Sequence, residues 1–165
     1  MAPHRPALHG IATVITQPGE SYVHPLVAAS VAALILRARD GRPMRIFVPL
    51  VAASLGAIAS HHAVKIVHRR PRPAVALRRH KTEAAFPSGH TTNATAVLAT
   101  SGYLLVRERL AGAPETAALV AAVAMATGLS RVALGWHWGS DVAGGWLTGI
   151  AVAALSAELY EALSA

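Results

Sequence analysis

Five apolar runs separated by short polar connectors dominate the chain. They cover residues 23–36, 46–67, 91–106, 117–134 and 142–160. Each run is about 15–20 residues long, which approaches the length that a helix needs to cross about 30 Å of hydrocarbon. Because backbone polar groups in lipid must be satisfied inside their own helix, the pattern predicts an all-α, polytopic membrane helical bundle with about five transmembrane helices.

The N-terminus does not continue this pattern. It lacks the uninterrupted apolar core and the small-residue cleavage site of a secretory signal peptide, and Gly10, Pro18 and Gly19 interrupt it. We therefore predict two parts, an N-terminal interfacial segment at residues 1–22 and a membrane domain at residues 23–165.

The composition is that of a membrane protein. Only 14% of the 165 residues are charged and 53% are hydrophobic, whereas soluble domains carry about a quarter charged residues. Cysteine is absent, which excludes disulfides and thiolate metal ligands. We expect a multi-pass protein of the cell (plasma) membrane.

The net charge of +7 indicates an anionic partner. The basic residues lie in connectors, as in RARDGRPMR at residues 37–45, and not along one helix face. This distribution does not favour nucleic-acid binding. Anionic membrane lipids and a lipid-linked phosphate substrate fit it better.

Three polar patches fall at the same end of the predicted bundle. If every run crosses the membrane, residues 65–86, 87–90 and 130–141 all lie at one face, because the third run leaves that face and the fourth returns to it. Ionisable residues in such positions are functional candidates.

The first patch contains Lys65 and Arg72. A guanidinium offers a planar fork for phosphate oxygens and an ammonium offers a compact charge, so both are candidate phosphate ligands. A collar of basic side chains that snorkel to the membrane surface is the structural alternative.

The second patch places Ser88, Gly89 and His90 after Pro87, immediately before an apolar run. A helix that begins at Pro87 would present the backbone N–H groups of the next residues at the positive end of its dipole, which makes an anion site. The glycine would let an anion approach closely, and His90 would be placed to donate a proton. An ordinary serine helix cap is the alternative.

The third patch contains Arg131, His137 and Asp141. His137 and Asp141 are four residues apart, so a helix that begins here would stack them on one face. The carboxylate could then hold one imidazole N–H and leave the other nitrogen free to attack. Packing of His137 beside its two neighbouring tryptophans is the alternative.

Together these residues suit phosphoryl transfer through a histidine. His137 would attack phosphorus in line with Asp141 orienting it, and His90 would protonate the leaving group and then activate water. The phosphate oxygens would be held by groups that donate hydrogen bonds or carry positive charge. These phosphate-binding candidates are Lys65, Arg72, Ser88, Gly89 and Arg131.

The three patches carry the sequence pattern of a known family. Its blocks are K-x6-RP, PSGH and SR-x5-H-x3-D, and the chain has all three in order from Lys65 to Asp141. The sequence thus resembles the type 2 phosphatidic acid phosphatase family over residues 46–160. The resemblance implies a helical membrane phosphatase that uses the residues above, forms a phosphohistidine and needs no metal or other cofactor.

The chain is smaller than many bacterial members of that family, which have six spans. The missing first span could weaken a lipid-entry groove or be compensated by homo-oligomerisation. Its size and short connector resemble the small actinobacterial members, which implies decaprenylphosphoryl-5-phosphoribose as substrate, for cell-wall arabinan precursor synthesis. Polyprenyl diphosphate, phosphatidylglycerophosphate and phosphatidate are the alternative substrates.

Three rival functions fit part of the pattern. A metallophosphatase could use the histidines at positions 61, 62, 68, 80 and 90, but hard cations need several carboxylates and only Glu83 and Asp141 lie near. Vanadium haloperoxidases have a similar site but are larger and soluble. A non-catalytic lipid-phosphate binder or transporter would use the same arginines without needing His137 and Asp141 at helical spacing.

Overall fold

The described part of the chain is entirely helical. The computed structural model describes residues 6–20, 22–39, 42–78 and 83–165, and no strand occurs among them. The helices are α1 (Pro6–Ile15), a 3-10 helix (Gln17–Gly19), α2 (Val23–Ala38), α3 (Pro43–His68), α4 (Ala74–Leu77), α5 (Gly89–Arg107), α6 (Ala113–Ala133) and α7 (Gly139–Ser164). The predicted all-α fold class is confirmed.

The five apolar runs of the sequence correspond to α2, α3, α5, α6 and α7. By length and apolar composition, α3, α6 and α7 can each cross a membrane. A fourth span results if residues 10–19 and α2, which meet at a bend of 57°, are counted as one. The chain is therefore a multi-pass membrane protein.

Helix α5 is too polar to qualify as a membrane span by itself. Its polar residues are tolerated because the helix lies at the centre of the bundle. It packs against α2, α3, α6 and α7, and every residue from 91 to 97 is buried. The hydroxyls and amide of its first turns therefore face protein and not lipid, where unsatisfied polar groups would be costly. The buried polar residues of α5 are Thr91, Thr92, Asn93, Thr95, Thr100 and Ser101.

Two glycines of α7 allow this helix to lie against α5. A β-carbon on Gly145 would stand 2.8 Å from Thr91 Cβ, and one on Gly149 would stand 2.6 Å from Thr95 Cβ. Real β-carbons do not approach this closely, so only glycine fits. Small residues at helix contacts are how membrane helices bring their backbones together. The contact sets the distance between the beginnings of α5 and α7.

A buried carboxylate ties the helices together at the other end of the bundle. Glu108, which follows the last residue of α5, is only 7% exposed. Its Oε1 accepts a hydrogen bond from Arg45 Nη2 at 2.6 Å and another from the Tyr160 hydroxyl at 2.6 Å. The start of α3, the end of α5 and the end of α7 are thus joined by charge-assisted hydrogen bonds, which are the stronger kind.

The N-terminal segment packs on the bundle. α1 contacts α6, and the 3-10 helix contacts α5, α2 and α6. The predicted division at residue 22 and the interfacial location of the segment stay predictions. These contacts nevertheless bring residues 16–20 to the end of the bundle where α5 begins.

We predict that Gly149→Ala lowers the free energy of unfolding by about 1–3 kcal/mol, the usual cost of overpacking. The added methyl group would collide with Thr95 and force α7 away from α5. Thermal unfolding in detergent micelles measures the effect. Gly139→Ala is the matched control, because a β-carbon there meets nothing within 4 Å. Equal unfolding temperatures for the two variants would contradict the close-contact interpretation.

Candidate active site

A cavity of about 270 Å³ opens at the end of the bundle where α3 and α6 end and α5 and α7 begin. Six of the eight predicted site residues line it, namely Lys65, Arg72, Gly89, His90, Arg131 and His137. The other two, Ser88 and Asp141, are fully buried and do not line the cavity. The structure therefore brings the three sequence patches into one place.

Arg72 is held in place by two backbone carbonyls. Its Nε donates to Glu83 O at 2.9 Å and its Nη1 donates to Trp136 O at 3.1 Å. Burial lowers the pKa of the Arg72 guanidinium, while the neighbouring Glu83 carboxylate raises it. Because an arginine is not deprotonated in proteins, the site holds a permanent, oriented cation here.

Arg131 is a second oriented cation, in the last turn of α6. Its Nη1 donates to Thr16 Oγ1 at 2.9 Å, and its guanidinium carbon lies 4.2 Å from the centre of the Trp136 ring. Its Nε is buried without a hydrogen-bond partner in the described part of the chain. A buried, unpaired guanidinium N–H is costly, and an anion in the cavity would satisfy it.

The contacts of His137 define its tautomer. His137 Nε2 lies 3.2 Å from Arg72 Nη1, and a guanidinium can only donate hydrogen bonds. Nε2 is therefore the acceptor, and in the neutral ring the proton resides on Nδ1, which faces Asp141 Oδ2 at 3.6 Å. Burial lowers the pKa of His137 and the Asp141 carboxylate raises it, with burial the larger effect. The ring is a neutral base with its lone pair directed at Arg72.

The predicted helical stacking of His137 on Asp141 is wrong in detail. α7 begins at Gly139, so His137 lies before the helix and Asp141 is its third residue. Asp141 Oδ2 accepts the N–H of Trp138 at 2.8 Å, as an acidic side chain in a first helical turn commonly does. The carboxylate thus reaches back toward His137 while it caps α7.

Arg70 is a site residue that the sequence interpretation missed. Its Nη1 lies 3.2 Å from Asp141 Oδ1 and 2.7 Å from Ser140 Oγ. It therefore neutralises the oxygen of Asp141 that does not face His137. Nothing in the arginine-rich run distinguishes Arg70 from Arg69, because only the direction of the chain after α3 decides which one faces α7.

The Pro-Ser-Gly-His tetrad differs from its prediction in two respects. α5 begins at Gly89, so Pro87 lies outside the helix. The backbone N–H of Ser88 is not available to an anion, because it donates to Asp141 O at 2.9 Å and so joins the starts of α5 and α7. Gly89 and His90, as the first residues of the helix, still have N–H groups with no acceptor inside it.

The Ser88 hydroxyl does not act as a helix cap. It makes no hydrogen bond to the backbone of the first turn, and Ser88 Oγ accepts instead from Thr91 Oγ1 at 2.9 Å. The capping alternative is therefore not observed. The hydrogen of the Ser88 hydroxyl is left to be donated elsewhere.

Gly89 makes room for a histidine. A β-carbon on Gly89 would stand 3.1 Å from Cε1 of His61, so the surface of this glycine faces an imidazole ring, and its role toward an anion stays a prediction. His61 is buried, and its ring centre lies 4.4 Å from that of His62. The sequence could have indicated His61 as a site residue, because it lies one turn before Lys65 on α3.

Two carboxylates and an amide also line the cavity. Glu83 Oε2 lies 3.6 Å from Arg72 Nη2 and 3.9 Å from Lys65 Nζ, and Glu20 Oε1 lies 3.0 Å from His90 Nε2. Asn93, three residues after His90, could have been found from helical spacing. Glu20 could not, because it comes from the N-terminal segment.

The histidines weighed as metal ligands do not form a metal site in the described residues. No group of three or more His, Asp or Glu side chains there could hold a metal ion, and His80 lies outside the residues that the structure describes. The arrangement instead combines three cations, a helix N-terminus and an imidazole lone pair around a space suited to a phosphoryl group. Such a site can bind a tetrahedral phosphate and attack it.

Comparison with known proteins places the chain in a family. The family model described as PAP2 superfamily matches residues 46–164. A solved structure, the transmembrane PAP2 type phosphatidylglycerolphosphate phosphatase from Bacillus subtilis, superposes with a TM-score of 0.82 and 27% identity, covering 96% of this chain and 79% of that one. The family model and the structural match therefore both indicate PAP2.

Two curated proteins of Bacillus subtilis (strain 168) are similar over part of the chain. Phosphatidylglycerophosphatase B is 38% identical over 84 residues, covering 49% of this chain and 41% of that protein. Undecaprenyl-diphosphatase BcrC is 33% identical over 103 residues, covering 59% of this chain and 49% of that protein. The matched regions thus span less than half the length of either relative.

We predict that Arg72→Gln weakens the binding of inorganic phosphate by about ten- to a hundredfold, the value of a hydrogen bond to a charged group. Isothermal titration calorimetry of the protein in detergent measures it. Arg69→Gln is the matched control, because it removes the same charge from an exposed side chain. Equal weakening in both variants would show that only the net charge matters and would contradict a direct contact at Arg72.

Proposed function

Because the chain belongs to the PAP2 superfamily, we propose that it is a membrane phosphatase that hydrolyses a lipid-linked phosphomonoester through a phosphohistidine at His137. The observation that supports this most directly is the 3.2 Å contact between His137 Nε2 and Arg72 Nη1. A phosphate that displaces this contact and binds Arg72 brings its phosphorus to the lone pair of Nε2. Binding and attack therefore share one position.

The first step forms the phosphohistidine. Nε2 of His137 attacks phosphorus in line with the ester bond, the P–O bond to the lipid alcohol breaks, and His90 donates its proton to the departing oxygen. The Nδ1 proton of His137 stays directed at Asp141, which stabilises the charge that the ring gains. A neutral alcohol leaves.

The second step restores the enzyme. His90, now neutral, removes a proton from a water molecule whose oxygen attacks phosphorus from the side that the alcohol has left. The P–N bond breaks, inorganic phosphate is released, and His137 and His90 return to their starting protonation states. One residue serves as acid and then as base, as reversal of the same proton transfer requires.

The surrounding donors stabilise charge on the phosphate oxygens in both steps. Arg72 and Arg131 supply guanidinium groups, and Lys65 supplies an ammonium from α3. Gly89 contributes a backbone N–H at the start of α5, whereas the buried Ser88 does not line the cavity and instead holds the start of α5 to α7. Because these groups already carry the positive charge that the transition state needs, we propose that the reaction requires no metal and no other cofactor.

The substrate class is a phosphate on a membrane lipid. The similarity to phosphatidylglycerophosphatase B and to undecaprenyl-diphosphatase BcrC supports phosphatidylglycerophosphate and polyprenyl diphosphate as candidates. The short connector between Arg72 and Pro87 is the feature that keeps decaprenylphosphoryl-5-phosphoribose among the candidates. We propose these three lipids, with phosphatidate, as the set to be compared.

We predict that the purified protein in detergent releases phosphate from one of these lipids well above the others and in the presence of excess chelator. His137→Ala and His90→Ala abolish turnover because they remove the nucleophile and the proton donor. Phosphate release from the four lipids and from a soluble phosphomonoester measures this. Full activity in either variant contradicts the assignment. A wild-type protein that binds lipid phosphate but never releases phosphate would instead be a binder or transporter.

A second prediction concerns pH. Since burial lowers the pKa of His137, its ring stays neutral and kcat/KM is retained as pH falls below about 6.5, the ordinary histidine pKa. Asp141→Asn removes a group that raises the pKa of His137, so the acidic limb of the pH profile should move to still lower pH. The same variant should lower kcat by about 10²–10⁴-fold, because the tautomer of His137 is no longer held. The pH profile of lipid phosphate hydrolysis measures both.

The matched control for this variant is Glu115→Gln, which converts an exposed carboxylate at the far end of α6 to an amide. Its profile should coincide with that of the wild type. An acidic limb that moves to higher pH in Asp141→Asn would contradict the assigned direction of the carboxylate effect.

A further inference from the structure

The N-terminal segment forms one wall of the candidate active site. A β-carbon on Gly19 would stand 2.7 Å from both Cα and Cβ of His90, so the segment lies directly on the first turn of α5. Thr16 is 1% exposed and accepts the hydrogen bond from Arg131. Residues 16–20 therefore contact two of the residues to which the proposed function assigns a role.

Glu20 carries a carboxylate from this wall into the cavity. Its Oε1 lies 3.0 Å from His90 Nε2, with the side chains 30% and 24% exposed. The pair resembles that of Asp141 and His137, where a carboxylate also faces one nitrogen of an imidazole. The proposed mechanism gives a role to Asp141 and none to Glu20.

The charges around His90 explain why it needs such a partner. Arg131 on α6 lines the same cavity, and so do His61 on α3 and His137 before α7. A histidine that donates a proton to the alcohol must carry positive charge before the alcohol leaves, yet the neighbouring cation disfavours a second positive charge. Glu20 is the carboxylate that offsets this repulsion.

We propose that Glu20 is a positioning residue for proton transfer by His90. Its carboxylate binds Nε2–H and stabilises the imidazolium, so that Nδ1 gives its proton to the departing alcohol and later takes one from water. The N-terminal segment would thereby supply a second carboxylate–imidazole pair. This inference rests on the proposed function, because it concerns the acid–base half of the same reaction.

Leaving-group dependence separates this role from a structural one. The alcohol of dioleoyl phosphatidate leaves only if it is protonated, whereas 4-nitrophenolate leaves without a proton. Because kcat/KM covers the steps up to release of the alcohol, Glu20→Gln should lower kcat/KM about 10–100-fold for phosphatidate, within the usual range of general acid catalysis. For 4-nitrophenyl phosphate the loss should be about threefold or less.

The pH profile and a conservative variant give two further readouts. Without Glu20 the imidazolium of His90 is less stable, so the alkaline limb of kcat/KM for phosphatidate should move to lower pH in Glu20→Gln. Glu20→Asp should restore part of the activity, because it keeps the charge. Glu158→Gln is the matched control, since it neutralises an exposed carboxylate near the other end of α7 and should leave both substrates unaffected.

Each outcome is decisive. Equal losses on the two substrates would show that Glu20 only holds the fold, and no loss would show that it has no part in the reaction. Either result overturns the inference while the proposed function stands. If phosphatidate is a poor substrate, the best of the other three lipids takes its place, since its alcohol also leaves only when protonated. If the wild-type protein releases phosphate from none of the four lipids, the proposed function fails and the inference fails with it.

Discussion

The close contact between α5 and α7 is the constraint on which the site depends. Gly145 and Gly149 let the two helices approach until their backbones nearly touch, and the N–H of Ser88 then reaches the carbonyl of Asp141. His90 and His137 belong to the beginnings of these two helices, and they face one cavity only because the helices are this near. Packing of small residues in a membrane thus sets the geometry of charged ones.

Length, apolar composition and local spacing were enough to predict the helices and most of the site. The five helices and their convergence at one face were predictable because lipid allows few alternatives. The start of α7 was not, since Asp141 acts as a cap from within the helix and leaves His137 outside it. Glu20 and Arg70 were missed because their partners lie far along the chain, and no periodicity relates them.

The site also holds several positive charges close together in a buried place. Arg72 and Arg131 are almost completely buried, and buried cations are stable only with partners. The protein satisfies them with backbone carbonyls, a threonine hydroxyl and the carboxylate of Glu83, and none of the residues that the structure describes accepts a hydrogen bond from the Nε of Arg131. In the proposed function, a phosphate dianion would complete this set by accepting the hydrogen bond that the Nε of Arg131 has to give.

The contact between the N-terminal segment and α6 can form only late in the synthesis of the chain. Thr16 and Arg131 are 115 residues apart, and at about 5–20 residues per second the ribosome needs on the order of 10 s to make the second after the first. Contacts between distant residues form late because their loop must close first. The cavity therefore acquires its last wall only after α6 has been made, and a chain stalled earlier in synthesis has no complete site.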